Sequence, residues 1–256
     1  MNKDLFRQIS IVIILFVTIA VNILSNALPF NGVTAPEISA SFEVYFVPAG
    51  YVFSIWGIIY LGLVAYAIYQ LLPAQRENPR LRQIGWWFVL SSAANCIWLV
   101  LWHYGYNTLS VLAMLTILTS LIMIYLSLGA ERQGIPPLER WLVHLTFSIY
   151  LGWISVATVA NITGTLYSLN WGGFGISPEI WTYIMLAVTT VLAGLMAYFR
   201  QDIAYILVLV WAFAGIGVEQ ANTPQIANAA YLSAGLAALF VIIVFVQKLR
   251  QPRTAP

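Results

Sequence analysis

The sequence predicts an all-α, polytopic membrane helical bundle of about eight transmembrane helices, and three observations carry that prediction. Hydrophobic residues make up 61% of the 256-residue chain and charged residues only 8%, where a soluble domain carries about a quarter. The mean hydropathy is +0.85. Apolar stretches of bilayer-spanning length recur along the chain, separated by short polar connections. Finally, the basic residues fall only in alternate connections and the terminal tails, the pattern of the positive-inside rule.

The first span covers residues 9–28. Lys3 and Arg7 precede it as they would precede a signal sequence, but Ile9–Leu28 is 20 residues long, more than the roughly 7–15 of a cleavable apolar region. A retained helix is expected. The loop Pro29–Val47 is broken by Pro29, Gly32 and Pro36, and Phe42, Tyr45 and Phe46 lead out of it. It reads either as an interfacial connector with aromatic anchors or as a lid over a cavity. The second span, 48–72, contains the 23 charge-free residues Pro48–Gln70. Proline suits a first helical turn, where the missing N–H costs no helix bond.

Spans three to five are expected at 84–103, 106–129 and 139–168. Trp86 and Trp87 mark an interfacial belt at the start of the third. The fifth is longer than a bilayer needs, so it tilts or projects. After the glycine-rich turn Asn170–Ser177, NWGGFGIS, three plainer spans follow at 179–199, 202–219 and 227–248. Connections near Tyr104–Tyr106 and Arg200–Gln201 are short enough to make antiparallel hairpins. Gly194, Ala197, Gly215 and Gly217 suit close helix contact, within the bundle or with a partner.

With the N-terminus in the cytoplasm, all 11 Lys and Arg residues fall on the cytoplasmic side. Lys3 and Arg7 lie in the N-terminal tail, Arg76, Arg80 and Arg82 in the second loop, Arg132 and Arg140 in the fourth and Arg200 in the sixth. Lys248, Arg250 and Arg253 lie in the C-terminal tail. The opposite face carries Glu37, Glu43, Glu179 and Glu219. Only an even number of spans gives this partition, so both termini are expected in the cytoplasm. Uninterrupted helices argue against an outer-membrane barrel and for an inner or plasma membrane.

The spans hold few polar groups. Trp56 lies eight residues, roughly 12 Å, into the second span, below the usual aromatic belt. Asn95 lies near the middle of the third, with Trp98 one turn further on the same face. In the fifth, Trp153 is roughly 20 Å in, followed by Thr158 and Asn161. Trp56, Trp98 and Trp153 therefore share a layer, with Asn95 on one side of it and Asn161 on the other. Such a layer is either packing with mutually satisfied hydrogen bonds or an aromatic cavity for a flat, hydrophobic ligand. His103 and His144 read as solvated interfacial histidines in preference to haem ligands, and Cys96, the single cysteine, as an inert buried thiol.

Three segments at these residues resemble the TspO/MBR family, the tryptophan-rich sensory proteins related to the mitochondrial translocator protein. They are Pro48 with FSIWGIIY (Phe53, Trp56, Tyr60), the N-x-x-W of Asn95–Trp98, and YLGWISVATVAN (Tyr150–Asn161), which is similar to Y-L-x-W-x-x-x-A-T-x-x-N. The resemblance covers roughly residues 1–170. It implies a five-helix bundle there, with residues 171–256 as a three-helix transmembrane extension. It further implies a pocket lined by Trp56, Asn95, Trp98, Trp153, Ala157 and Asn161 and closed by the loop before the second helix. Porphyrins, haem-related tetrapyrroles, sterols and synthetic isoquinolines or benzodiazepines are the ligands it implies, and the matches to Trp56 and Trp153 are those tied to light-dependent porphyrin breakdown. Here the loop has no Arg or Lys, and the family's W-x-P-P-like segment is Tyr45-Phe46-Val47-Pro48.

An integral membrane binding or sensory protein for a hydrophobic ligand is therefore expected, with a tetrapyrrole or sterol-like molecule and the lipid bilayer as partners. A homodimer is compatible with it. Transport of an apolar ligand and photochemical porphyrin degradation are the alternatives. The sequence shows no catalytic triad, metal cluster or phosphate-binding glycine loop, and no resident cofactor is expected beyond a porphyrin or haem ligand. The net charge of +2 gives no basis for nucleic-acid binding. Nearly charge-free spans argue against ion-coupled transport.

Overall fold

The computed structural model describes residues 3–28, 30–130 and 135–250. Pro29, Glu131, Arg132 and Arg253, which the sequence places in loops and tail, lie outside the described residues. Nine helices account for most of the remainder: α1 Lys3–Ala27, α2 Ala35–Ser41, α3 Gly50–Leu71, α4 Pro79–His103, α5 Asn107–Ala130, α6 Pro137–Ser168, α7 Pro178–Arg200, α8 Ile203–Glu219 and α9 Pro224–Arg250. Seven of them are long and apolar enough to cross a membrane. The eighth predicted span is α8, whose 17 residues reach about 26 Å, at the short end for a bilayer. The protein is an all-α, polytopic membrane bundle.

The predicted boundaries shift where a cap overrides apolarity. The third span starts at Pro79 rather than near residue 84, because the Asn78 side chain accepts from the Arg80 N–H at 3.0 Å and proline fills the first position. Arg80 and Arg82 thus belong to a helix, not to a loop. The helices α7 and α8 turn at Gln201, which is left-handed (φ 50°), and Asp202 caps α8 by accepting from the Tyr205 N–H at 3.1 Å.

Two compact units divide the described residues. The first lies within Met1–Glu43 and Phe53–Asn170, the second within Val44–Val52 and Trp171–Pro256. In the first unit five long helices close a ring: α3 packs on α1, α1 on α4, α4 on α5, α5 on α6, and α6 on α3. Its centre is aromatic, with Tyr66, Phe88 and Phe147 meeting edge to face at centroid distances of 5.0–6.0 Å.

One end of this ring is charged. Arg82 reaches Asp4 through Nη2 at 2.6 Å and Nε at 2.9 Å, and Arg7 Nη2 donates to the Arg76 carbonyl at 2.9 Å. Glu139, the first residue of the predicted fifth span, stands in the first turn of α6 and is wholly buried. Its carboxylate accepts from Arg80 Nε at 2.5 Å, Asn78 Nδ2 at 2.9 Å and Tyr69 Oη at 3.3 Å. Those donors offset the cost of burial. A π-turn, Arg140–His144, follows it.

In the second unit α9 packs along α8 and α7. The approaches rest on glycine: a Cβ at Gly217 would come within 2.4 Å of the Tyr231 ring, and one at Gly215 within 2.2 Å of Val52 Cγ2. These small residues serve contacts inside the chain. Val52 belongs to the strap Val44–Val52, which takes in the end of the loop and the first residues of α3. Tyr45 Oη donates to Glu179 at 3.1 Å, Ala49 N–H to the Gly215 carbonyl at 3.1 Å, and Trp211 Nε1 to the Val52 carbonyl at 3.2 Å.

Candidate functional site

The aromatic site of the first unit is built from α3, α4 and α6. On α3, Trp56 and Tyr60 stand four residues apart and stack, with centroids 5.4 Å apart and planes 19° apart. On α6, Tyr150 and Trp153 stand three apart, and both meet Trp56 edge to face, at 5.8 and 6.4 Å. Phe53 meets Trp153 at 5.6 Å. Edge-to-face contact sets the positive ring edge against a negative face. Trp153 is buried and Trp56 half-buried.

A second aromatic column stands on α4. Trp98 stacks with Trp102 at 6.0 Å, Trp102 meets Phe42 at 5.3 Å, and Phe42 meets Tyr167 at 6.4 Å. Phe42 comes from the loop between α1 and α3, and it fits over Gly164, where a Cβ would lie 3.0 Å from its ring. Asn31 Nδ2 of the same loop donates to the His103 carbonyl at 3.1 Å, and Phe30 meets the His103 ring at 5.7 Å. This part of the loop therefore covers the ends of α4 and α6 away from the charged end. His103 is buried, not solvated, and its Nδ1 lies 2.7 Å from the Leu99 carbonyl.

The amides divide in role. Asn95 is wholly buried and its Oδ1 accepts from Asn22 Nδ2 of α1 at 2.9 Å. Asn161 points to α5, where its Nδ2 donates to Ser110 Oγ at 3.0 Å. That pairing satisfies Asn161 by helix packing. Ala157 is half-buried on α6, four residues from both Trp153 and Asn161 and on the same face. Of the six residues expected in a pocket, Trp56 and Trp153 are in direct contact, Asn95 and Trp98 share a face of α4, and Asn161 is engaged with α5.

Several polar atoms at this depth are buried without a hydrogen-bond partner among the described residues: Asn95 Nδ2, Trp98 Nε1, Trp153 Nε1 and Tyr60 Oη. Buried donors are nearly always paired, because an unpaired one costs about 1–3 kcal/mol. The arrangement offers hydrogen bonds and π-faces and no nucleophile–base pair. Among the described residues no group of three or more His, Cys, Asp or Glu is placed to hold a metal ion.

Sequence reasoning missed Asn22 and Ser110, the partners of the two amides. Each is a polar residue inside an apolar span, so the rule that led to Asn95 applied to both. Phe53 and Tyr150 were legible as motif residues and Trp102 only as an aromatic, and the neighbours of all three depend on helix rotation.

Neither a curated protein nor a solved structure matches this chain. A family model, described as TSPO-like protein, matches residues 8–244. The match continues well past residue 170, where the resemblance of the quoted motifs stopped, and takes in α7, α8 and most of α9. It spans nearly the whole sequence, and the chain belongs to the TSPO-like protein family.

Proposed function

We propose that the ring of the first unit is a membrane-embedded binding site for a flat, apolar ligand carrying hydrogen-bond acceptors, a tetrapyrrole being the class its family resemblance favours. The buried, unpartnered donors Asn95 Nδ2, Trp98 Nε1 and Trp153 Nε1 support this reading. They stand among rings suited to stacking on a planar molecule, and acceptors on such a ligand would satisfy them. The Phe42 segment acts as the cover. The charged end faces the cytoplasm, following the distribution of Lys and Arg, and the protein serves as a binder or sensor.

The test is a dark titration of the purified protein in detergent with protoporphyrin, followed by Trp quenching. Asn95→Ala and Trp153→Phe each remove a donor, and each is expected to weaken binding about 5- to 30-fold, the equivalent of about 1–2 kcal/mol. Unchanged affinity in both variants, or no saturable quenching in the wild type, would refute the proposal. The contact of Trp56 with Trp153 favours a photochemical activity as a second reading. Illumination of the complex would then bleach the porphyrin spectrum in the wild type and not in Trp56→Phe/Trp153→Phe.

A further inference from the structure

A separate groove of about 620 Å³ opens in the second unit, between the last turns of α7 and α9. It falls in the size range of ligand sites, roughly 300–1,000 Å³. Its walls are two helical stripes. Gly194, Ala197 and Tyr198 follow one face of α7, with Gln201 just past its end, and Phe240, Val244, Gln247 and Arg250 follow one face of α9. Both stripes run from apolar to polar in the same direction. The floor is Ala197, Phe240 and buried Val244, and at Gly194 a Cβ would just touch the Phe240 ring at 3.4 Å. Gln201, Gln247 and Arg250 form the mouth.

The mouth lies at the basic end of this unit. Arg200, Lys248 and Arg250 cluster at the ends of α7 and α9, while Glu179 and Glu219 stand at the other ends of α7 and α8. Arg250 is exposed and forms no ion pair among the described residues. An apolar trench inside the bilayer, closed at the interface by amides and a free guanidinium, complements one class of molecule: an acyl chain ending in an anionic headgroup.

A second copy of the chain suits the groove poorly. Copies in one membrane share an orientation, so a two-fold contact here would set one basic end beside the other. A zwitterionic lipid would leave the guanidinium facing a headgroup with no net charge.

We infer that this groove is a seat for an anionic glycerophospholipid, with one acyl chain along Ala197, Phe240 and Val244 and its phosphate on Arg250, Gln247 and Gln201. The inference rests on the membrane reading of the helices and is independent of the ligand of the first unit. Arg250 supplies the selectivity for charge and the apolar floor supplies the hold on the chain. Ile243, a half-exposed residue on the groove wall, controls the width.

The test uses the full-length protein, stripped of lipid in detergent and then incubated with equal phosphatidylglycerol and phosphatidylcholine. Retained phospholipid is counted by native mass spectrometry. The wild type should retain phosphatidylglycerol in preference to phosphatidylcholine. Arg250→Gln should lower phosphatidylglycerol retention about fivefold, the effect of one basic residue at a membrane surface. Ile243→Trp, which fills the groove from its exposed wall, should exclude both lipids. Arg140→Gln removes the same charge from an exposed position in the first unit and should change nothing.

Equal retention of the two lipids by the wild type would overturn the inference, as would an equal loss in Arg250→Gln and Arg140→Gln. So would full retention in both groove variants. If Ile243→Trp instead dissociated a dimer and left lipid retention unchanged, the groove would be an interface between copies and the lipid seat would be wrong. All three variants lie at exposed positions, and an unchanged near-ultraviolet spectrum checks that each is folded.

Discussion

The indole of Trp56 on α3 meets that of Trp153 on α6 edge to face, with centroids 6.4 Å apart and planes at 85°. This contact joins two helices that are neighbours in the ring and far apart in sequence. It also distinguishes packing from donor function. Trp153→Ala should cost about 3–5 kcal/mol of stability, as for a large aromatic removed from a core. Trp153→Phe keeps most of the ring and deletes an N–H that lacks a partner among the described residues, so it should cost no more than about 1.5 kcal/mol. Unfolding by SDS in mixed micelles measures both. A Phe variant as unstable as the Ala variant would mean that the indole N–H is already satisfied.

Gly215 is the contact point for the strap Val44–Val52. A Cβ there would lie 2.2 Å from Val52 Cγ2, so Gly215→Ala should destabilise the second unit by about 1–3 kcal/mol through overpacking. Val52→Ala in the same chain should restore part of that loss, since the two side chains occupy one space. Additive losses in the double variant would show that the clash lies elsewhere.

The pair of half-buried Arg80 and wholly buried Glu139 predicts an asymmetric response. Glu139→Ala leaves the Arg80 guanidinium, the Asn78 amide and the Tyr69 hydroxyl without their shared acceptor, and should cost about 3–5 kcal/mol. Replacing both members, as Arg80→Met/Glu139→Leu, should cost less than Glu139→Ala alone. A larger loss in the double variant would contradict the account of this end of the ring.

Much of the fold was legible because apolar length and charge asymmetry are set by the bilayer rather than by tertiary contacts. The span 106–129 and α5 nearly coincide for that reason. Boundaries failed where local capping chemistry decided them, as at Asn78–Pro79. The burial of Glu139 was not legible, because the group that closes on its carboxylate is Arg80, 59 residues away in sequence. At the site, the depth of Trp56 and Trp153 was readable from residue counts. The direction of each amide was not: Asn161 turns to Ser110 and Asn95 to Asn22, a matter of helix rotation that a depth argument does not address.

The covering loop carries its own pH dependence. The Thr34 backbone N–H and hydroxyl both donate to the Glu37 carboxylate at 2.7 Å, and these bonds, the backbone one foremost, hold its pKa below the ordinary 4.5. A depressed pKa means that the stabilisation is present above the unfolded value and is lost as pH falls through the folded one. A spin label at Ala40→Cys, in a Cys96→Ser background, should therefore gain mobility as pH falls through the depressed pKa of Glu37. Glu37→Gln should abolish that transition. A transition that survives in the Gln variant would assign it to another group.

The most direct test of the central claim is the nitrogen-15 spectrum of the indole N–H groups in Trp-labelled protein, recorded in micelles as a tetrapyrrole is added in the dark. The Trp98 and Trp153 signals are assigned by their Phe variants. The account predicts that both move downfield on saturation, as unpartnered donors acquire acceptors, while Trp211, already bonded to the Val52 carbonyl, stays in place. Saturating ligand that leaves the Trp98 and Trp153 signals where they were would contradict it, and the aromatic layer would then be packing alone.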